Sequence, residues 1–148
     1  MKIVNALPPN YDQILNDGDN VWAYHAVMEC PFCHHDRDIV AENEHAFAIA
    51  DGYAVSPGHT LIIPKRHVAT VFDLTNDEYE GCFDLVRSVK AILEERQETN
   101  DFNIGINCGE AAGQTVDHTH IHLIPRYQGD VENPRGGVRH VIPGKGYY

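Results

Sequence analysis

An alternating run of three histidines is the feature that most constrains how this chain folds. His118, His120 and His122 occupy every second position of residues 116–124, a segment rich in aliphatic and β-branched side chains. Side chains along a strand point to opposite faces in turn, so the spacing predicts a β-strand with all three imidazoles on one face, about 7 Å apart. Pro125 is predicted to end that strand. Such a row is chemically reactive, because imidazoles exchange protons near neutral pH, bind metals and attack phosphorus or carbonyl centres.

Length, charge and composition limit the class of protein. A chain of 148 residues is long enough for its own hydrophobic core, so we predict a single domain over residues 1–148 that needs no disulfide or metal merely to fold. The 22 acidic and 11 basic side chains give a net charge of −11, which argues against a general nucleic-acid or anionic-membrane binder. No apolar run has the length of a signal peptide or a membrane span. We therefore expect a cytoplasmic protein whose four cysteines are thiols or metal ligands.

Hydrophobic periodicity changes between that of strands and that of helices, which is typical of the α+β class. Thr75 and Glu78 have the spacing of a capping box, and apolar residues then recur at helical spacing until the polar residues 94–100, so one long helix is predicted. Residues 1–28 are predicted as an N-terminal extension and residues 127–148 as an irregular C-terminal tail. Besides the histidine strand, strands are predicted at residues 38–42, 45–50, 60–63 and 102–106.

A glycine-bearing loop precedes the histidine run. Residues 109–115 offer glycines that allow close backbone approach, together with amide and hydroxyl groups that donate to anionic oxygens. The loop therefore suits a phosphate group, although a simple hairpin turn also uses glycine there. Beside three histidines, this favours a catalytic cluster over a metal site, and the desolvation of three adjacent imidazoles disfavours plain core packing.

Two longer motifs resemble one known family. The sequence Gly-Gln-Thr-Val-Asp-His-Thr-His-Ile-His-Leu-Ile-Pro-Arg at residues 113–126 and Ser-Pro-Gly-His at residues 56–59 closely resemble the histidine triad (HIT) nucleotide hydrolases and transferases, in particular the bacterial type with an N-terminal Cys-x-x-Cys. The likeness extends from Cys30 to Arg139. It implies a HIT-like five-stranded antiparallel sheet with a long helix packed on it, a homodimer, and a purine nucleotide bound beside the triad.

The resemblance also implies how the histidines divide the chemistry. His120, the middle member, would attack the α-phosphorus and form a covalent nucleotidyl-histidine that water then hydrolyses, which splits one displacement into two steps. His122 would hydrogen bond the phosphoryl oxygens, and His118 would orient its neighbours. His59, after the Pro-Gly turn, would fix the nucleophile's tautomer or contact the phosphate.

Four further residues are implied as nucleotide contacts. Gln114 would act in catalysis at the bridging or leaving group, Thr115 would bind phosphate, and Asn107 would hydrogen bond near the phosphates. Asp51 stands eight residues before His59, where the family binds ribose, and a carboxylate can accept from both ribose hydroxyls. An aspartate before a glycine is also common in turns, so a turn residue is the alternative for Asp51.

A second constellation is formed by Cys30 and Cys33, which His34 and His35 follow directly. Read alone, the pattern is compatible with c-type haem attachment, a redox pair, a structural zinc ion or free thiols. Haem attachment requires an export signal and a redox pair belongs in a thioredoxin-like unit, so we favour zinc. The resemblance implies a zinc site made of Cys30, Cys33, His67 and His118. His34 or His35 is an alternative to His67.

These residues together predict an enzyme that releases a nucleoside monophosphate from a dinucleoside polyphosphate or a nucleoside phosphoramidate. The loop before the triad resembles both branches of the family equally. Two other classes stay open: a nucleotide-binding signalling or scaffold dimer with little turnover, and a zinc-dependent hydrolase that uses all three strand histidines.

Overall fold

A computed structural model of the chain describes residues 29–97 and 99–148. The predicted N-terminal extension, residues 1–28, lies outside the described residues. The elements in chain order are β1 (Ile39–Glu42), β2 (Ala46–Ala50), β3 (Thr60–Pro64), α1 (Asn76–Gln97), β4 (Asp101–Ile106) and β5 (Ile121–Arg126). Short 3₁₀ turns lie at Val71–Asp73, Glu110–Ala112 and Gly137–Val141.

The five strands form one sheet in the order β1-β2-β3-β5-β4, and every neighbouring pair is antiparallel. This confirms the predicted α+β architecture of a five-stranded antiparallel sheet with one long helix. β4 and β5 pair directly along their whole length, from Asp101↔Arg126 to Ile106↔Ile121. β5 therefore lies between β3 and β4, which brings the histidine segment close to the Pro-Gly turn that precedes β3.

The histidine strand begins later than the alternation predicted. β5 starts at Ile121, so His118 and His120 precede it and only His122 belongs to the sheet. The backbone N–H of Thr119 donates to Val68 O at 2.7 Å instead of to a neighbouring strand, which takes this stretch out of the ladder. The prediction of a strand over residues 116–124 was therefore wrong in its start, but the three rings still neighbour one another on the sheet side opposite α1: His118 and His120 contact Phe32, and His120 contacts His122.

Pro125 does not end the strand, which continues to Arg126. On the β3 side the pairing stops at Thr60↔Leu123, so Pro125 faces only one strand, where it pairs with Phe102. Proline has no N–H to donate to a neighbouring strand. At this position the β3 side has no partner strand that would need one. Its carbonyl accepts a hydrogen bond from the Ser56 hydroxyl at 2.7 Å.

The predicted capping box is present at the start of α1. The Glu78 N–H donates to the Thr75 hydroxyl at 3.3 Å, and the Thr75 N–H donates to the Glu78 carboxylate at 2.8 Å. α1 runs to Gln97 and so continues into the polar stretch that was predicted to end it. Glu, Arg and Gln are good helix formers, and Lys90 pairs with Glu94 one turn later, so polar residues do not stop the helix here.

The two faces of the sheet bury different partners. α1 covers one face, where its residues Cys82, Leu85, Val86, Val89 and Leu93 pack on strand residues that include Ala46, Ala48 and Ile62. The other face, with Phe47, Ile49, Leu61 and Ile63, packs against Cys30 and Phe32. The Cys-x-x-Cys segment thus lies on the sheet face opposite the helix. Among the described residues, no helix combines the length and apolar character needed to cross a membrane.

The C-terminal segment after β5 contains the 3₁₀ turn at Gly137–Val141 and is otherwise irregular. That turn packs on β4 at the edge of the sheet.

Candidate active site and metal centre

The four residues that the resemblance implied as zinc ligands come together on the sheet face opposite α1. Cys30 Sγ lies 3.3 Å from His118 Nδ1, Cys33 Sγ lies 3.3 Å from His67 Nδ1, and Cys33 Sγ lies 3.6 Å from His118 Nδ1. The ligand atoms of Cys30, Cys33, His67 and His118 all lie within 4.8 Å of one another. These residues form a cluster that can hold a metal ion.

The donor set and spacing fit zinc. With Zn–S near 2.3 Å and Zn–N near 2.05 Å, a tetrahedral site places sulfur and nitrogen ligands about 3.6 Å apart, close to the separations found here. His118 Nε2 lies 2.9 Å from Pro64 O, so this nitrogen carries the proton and donates, which leaves the Nδ1 lone pair for the metal. The ring orientation is therefore already fixed for ligation.

The alternative ligands stand outside this cluster. The His34 side chain is exposed, and the His35 ring stacks on Phe47 at 4.8 Å between centroids. His67 is the histidine that meets the cysteines. The two thiols also influence each other: a hydrogen bond from Cys33, helped by the nearby His118, lowers the pKa of Cys30, while the Cys30 sulfur raises the pKa of Cys33. Without a cation, the pair thus favours a thiolate on Cys30 and a protonated thiol on Cys33.

His120 is buried beside this cluster with a defined tautomer. Its Nδ1 lies 2.8 Å from His118 O, and because a carbonyl only accepts, Nδ1 carries the proton. The Nε2 lone pair is therefore available. The His120 ring is 7% exposed and makes edge contacts with the Phe32 ring at 5.2 Å and the His122 ring at 5.1 Å.

His59, His122 and Asp51 form a second connected group. His59 Nδ1 accepts the Val55 N–H at 3.2 Å, so the proton of the neutral ring is on Nε2. That N–H points toward His122 Nδ1 at 3.0 Å and Asp51 Oδ2 at 3.3 Å. Asp51 also accepts the Tyr53 N–H at 2.9 Å, so the turn interpretation of Asp51 is compatible with its contacts.

Burial keeps both of these histidines neutral at physiological pH. Burial, and then the neighbouring His120 and His59, lower the pKa of His122 to about 4. Burial also lowers the pKa of His59, although the Asp51 carboxylate opposes that change. With Nδ1 accepting from His59, the proton of His122 is on Nε2, where it can donate to an anion.

A cleft of about 350 Å³ lies beside the second group. Its polar lining comprises His59, His122, Asn103 and Asn107. Its apolar lining comprises Val55, Ile104, Ile124, Val138 and Val141. The volume is in the range of small-molecule sites, and a few polar groups stand among mostly apolar lining residues. The sequence singled out three of these polar residues, but it did not indicate that the C-terminal segment would form part of the wall.

Gln114 and Thr115 lie in the loop before the triad. The Gln114 amide nitrogen donates to Ala69 O at 2.6 Å and Val116 O at 3.0 Å, and its oxygen accepts the Gly109 N–H at 2.7 Å. The side chain therefore closes the loop on itself, and both amide protons are already used. Thr115 is exposed.

Comparisons with known proteins agree with this fold and site. A family model described as the HIT domain matches residues 34–129. The chain belongs to the HIT family. Its predicted relationship to the bacterial type with an N-terminal Cys-x-x-Cys is consistent with the Cys30 and Cys33 pair in the metal cluster.

Individual relatives include hydrolases and proteins without an assigned role. An uncharacterized 16.1 kDa HIT-like protein of Mycoplasma pneumoniae is 42% identical over 90 residues, 60% of this chain and 62% of that protein. A bis(5′-adenosyl)-triphosphatase of Dictyostelium discoideum is 37% identical over 103 residues, 70% of this chain and 69% of that protein. The chain thus spans about two thirds of the length of these curated relatives.

Among solved structures, a zinc-bound histidine triad family protein from Mycobacterium smegmatis has a TM-score of 0.66 and 32% identity to this chain. The match covers 72% of this chain and 81% of that one.

Proposed function

We propose that this protein is a nucleotide hydrolase that cleaves at the α-phosphorus of a dinucleoside polyphosphate or a nucleoside phosphoramidate and releases a nucleoside monophosphate. The observation that carries the proposal is the state of His120. Its Nδ1–H is held by His118 O, so in the neutral ring the Nε2 carries the lone pair, and the ring contacts the cleft-lining His122. The triphosphatase among the relatives supports the choice of substrate class.

The reaction would proceed in two displacements. In the first, the His120 Nε2 lone pair forms a bond to the α-phosphorus, the bond to the leaving group breaks, and the leaving group departs with its electron pair and takes a proton from solvent. In the second, a water oxygen attacks the same phosphorus, the phosphorus–nitrogen bond breaks, and its electron pair returns to Nε2. The water proton passes to solvent, so the protein is unchanged after one turnover.

The neighbouring residues would bind and orient the substrate. His122 would donate from Nε2 to a phosphoryl oxygen, and it is held for this role by the hydrogen bond with His59. Asn107 would hydrogen bond near the phosphates, since it lines the cleft. Asp51 would accept ribose hydroxyls, and its position against His59 supports an added part in orienting that ring.

The loop residues keep more modest roles in this proposal. Thr115 would bind phosphate through an exposed hydroxyl. Gln114 would act in catalysis mainly by fixing the loop, because its amide protons are bound to two carbonyls and its oxygen accepts the Gly109 N–H. The apolar wall of the cleft would receive a purine base.

We further propose that Cys30, Cys33, His67 and His118 bind a structural zinc ion. When bound, zinc supplies a cross-link between the Cys-x-x-Cys segment and the histidine segment. No catalytic step requires it, because His118 faces the cysteines and His120 does not. The zinc-bound relative supports the identity of the metal.

A homodimer is proposed as well, since β4 ends the sheet and has no partner strand on its outer side among the described residues. Sedimentation of the purified protein tests it.

The proposed activity is tested with purified protein and a panel of diadenosine triphosphate, diadenosine tetraphosphate and adenosine phosphoramidate. We expect release of adenosine monophosphate and a transient mass increase of one nucleotidyl group after non-acidic quenching. His120→Asn should abolish both while nucleotide binding is retained. His34→Asn, a change at an exposed histidine outside both clusters, is the control and should behave as wild type. Binding without any monophosphate release in the wild type would favour a signalling or scaffold role instead.

A further inference from the structure

We propose that Phe32, the aromatic residue inside the Cys-x-x-Cys segment, is a positioning residue for the His120 ring. This inference rests on the proposed function, because it concerns how the nucleophile is held. Phe32 is 7% exposed and contacts two of the three triad rings. Its ring centroid lies 5.2 Å from that of His120 with the planes at 61°, and 6.0 Å from that of His118 at 71°.

The hydrogen bond to His118 O leaves one freedom of the nucleophile unrestrained. That bond restrains His120 Nδ1, but small coupled changes in the two side-chain torsions can still tilt the ring while Nδ1 stays within hydrogen-bond distance of the oxygen. Such a tilt moves Nε2 sideways, and reacting atoms must stay close to a productive line of attack. Ring contacts are what set the plane, and His120 has two edge contacts of this kind, with Phe32 and with His122.

Of these two contacts, Phe32 is the one that does not depend on the substrate. His122 is proposed to bind the phosphoryl group, so the orientation of its ring depends on the bound ligand as well as on the contact with His120. Phe32 belongs to the buried cluster with Ile49 and Leu61, and the segment around it is closed by backbone bonds from Cys33 and His34 to Cys30 O, both 3.2 Å long. It is therefore a rigid neighbour supplied by the core.

An aromatic ring is the suitable side chain for this task. Aromatic pairs prefer edge-to-face geometry because the positive ring edge meets the negative ring face, so the contact sets an angle as well as a distance. An aliphatic side chain of similar size would fill the space without favouring one angle. Phe32 therefore does more than occupy volume beside the metal cluster.

The test compares two ring-deleting variants, Phe32→Leu and Phe32→Met, with Phe32→Tyr, which keeps the ring. Phe47→Leu is the matched control: Phe47 belongs to the same cluster and is also 7% exposed, but its ring stacks on His35. For each protein we would measure kcat and KM for the preferred substrate, bound zinc, the unfolding midpoint, and the NMR shifts of the His120 ring protons.

We expect Phe32→Leu and Phe32→Met to lower kcat by about tenfold or more with KM changed by less than about twofold, since only the alignment of the attacking atom is lost. The ring-current shift of the His120 protons should disappear in both. Phe32→Tyr should restore kcat and the shift, and Phe47→Leu should lose stability while keeping kcat. Bound zinc should be unchanged throughout.

The proposal is overturned if Phe32→Leu and Phe32→Met keep the wild-type kcat, or if Phe47→Leu lowers kcat to the same extent. It is also overturned if the His120 shifts do not respond to loss of the ring. A wild-type protein without turnover would instead refute the proposed function, and nuclear Overhauser contacts of the His120 ring protons, compared between wild type and Phe32→Leu, would still show whether loss of Phe32 changes the orientation of the ring.

Discussion

Replacing Glu78 by glutamine should remove an ion pair that anchors the start of α1. The Glu78 carboxylate receives Arg66 Nε at 2.6 Å and Arg66 Nη2 at 2.7 Å, and its side chain is only 12% exposed. The hydrogen bonds from Arg66, and then the capping bond from Thr75, lower the pKa of Glu78 from 4.5 to about 2. A pKa lowered by this much corresponds to about 3 kcal/mol of stability at pH 7, at about 1.4 kcal/mol for each tenfold change in proton affinity.

The glutamine variant separates the charge from the cap, because glutamine can still accept the Thr75 N–H in a capping box. We expect Glu78→Gln to lower the free energy of unfolding at pH 7 by about 2 to 3 kcal/mol and the melting temperature by about 5 to 10 °C. Chemical denaturation with urea and calorimetry measure the two quantities.

The pH dependence has a defined sign. The folded-state pKa of Glu78 lies below its unfolded value, so the stabilisation is complete above pH 4.5 and is lost as pH falls toward 2. Between pH 7 and pH 4 the gap between wild type and Glu78→Gln should narrow by about 0.8 kcal/mol, because the unfolded carboxyl takes up a proton first.

A matched control is available on the same helix. Glu94 pairs with Lys90 across one turn, and that pair is more exposed, with 29% and 44% of the two side chains accessible. Glu94→Gln should cost about 0.5 kcal/mol or less. Equal losses in Glu78→Gln and Glu94→Gln, or a gap that stays constant with pH, would show that the buried ion pair does not stabilise the helix start as reasoned.

Three further perturbations follow from the structure. Thr119 is 1% exposed and its hydroxyl has no hydrogen-bond partner among the described residues, so Thr119→Val should raise the free energy of unfolding by about 1 kcal/mol; a loss would mean that the hydroxyl has a partner. Cys33→Ser should reduce zinc content, measured by atomic absorption, from about one ion per chain to near none and lower the unfolding midpoint, and full zinc occupancy would refute the ligand assignment. Gly113 has φ of +83° and open space where a methyl group would stand, so Gly113→Ala should lower the free energy of unfolding by about 1 to 2 kcal/mol through backbone strain alone. Gly105→Ala in β4, where the space is also open, should raise it by about 0.5 kcal/mol. Urea denaturation compares the two variants, and equal effects would contradict a strain specific to Gly113.

Local patterns in the sequence were sufficient for the elements whose bonds are local. The capping box is an example, because Thr75 and Glu78 satisfy each other within one turn. The pairing of β4 with β5 is another, since two alternating segments close in sequence have few other partners. Identifying His67 as the histidine that meets the cysteines required the family resemblance, because its 34-residue separation from Cys33 carries no periodic signal.

Long-range contacts explain what the sequence could not supply. Whether residues 118–120 join a sheet depends on which acceptors their N–H groups reach. The Thr119 N–H donates to Val68 O, a contact that no local sequence pattern predicts. The Gln114 amide is used by Ala69 O, 45 positions earlier in the chain. The contribution of Val138 and Val141 to the cleft depends on how the C-terminal segment packs on β4. An irregular segment has no hydrophobic periodicity from which that packing could be predicted.

The late start of β5 at Ile121 places the three histidines in different hydrogen-bonding environments. In a regular strand paired throughout, three rings on one face would have similar surroundings and would compete for the same protons. Here each ring has one nitrogen committed to a different partner: His118 Nε2 to Pro64 O, His120 Nδ1 to His118 O, and His122 Nδ1 to His59. The remaining nitrogen of His118 thus faces two thiols, that of His120 is a lone pair, and that of His122 is a donor. Three identical side chains thus have three different hydrogen-bond arrangements, which is what the proposed division of roles among them requires.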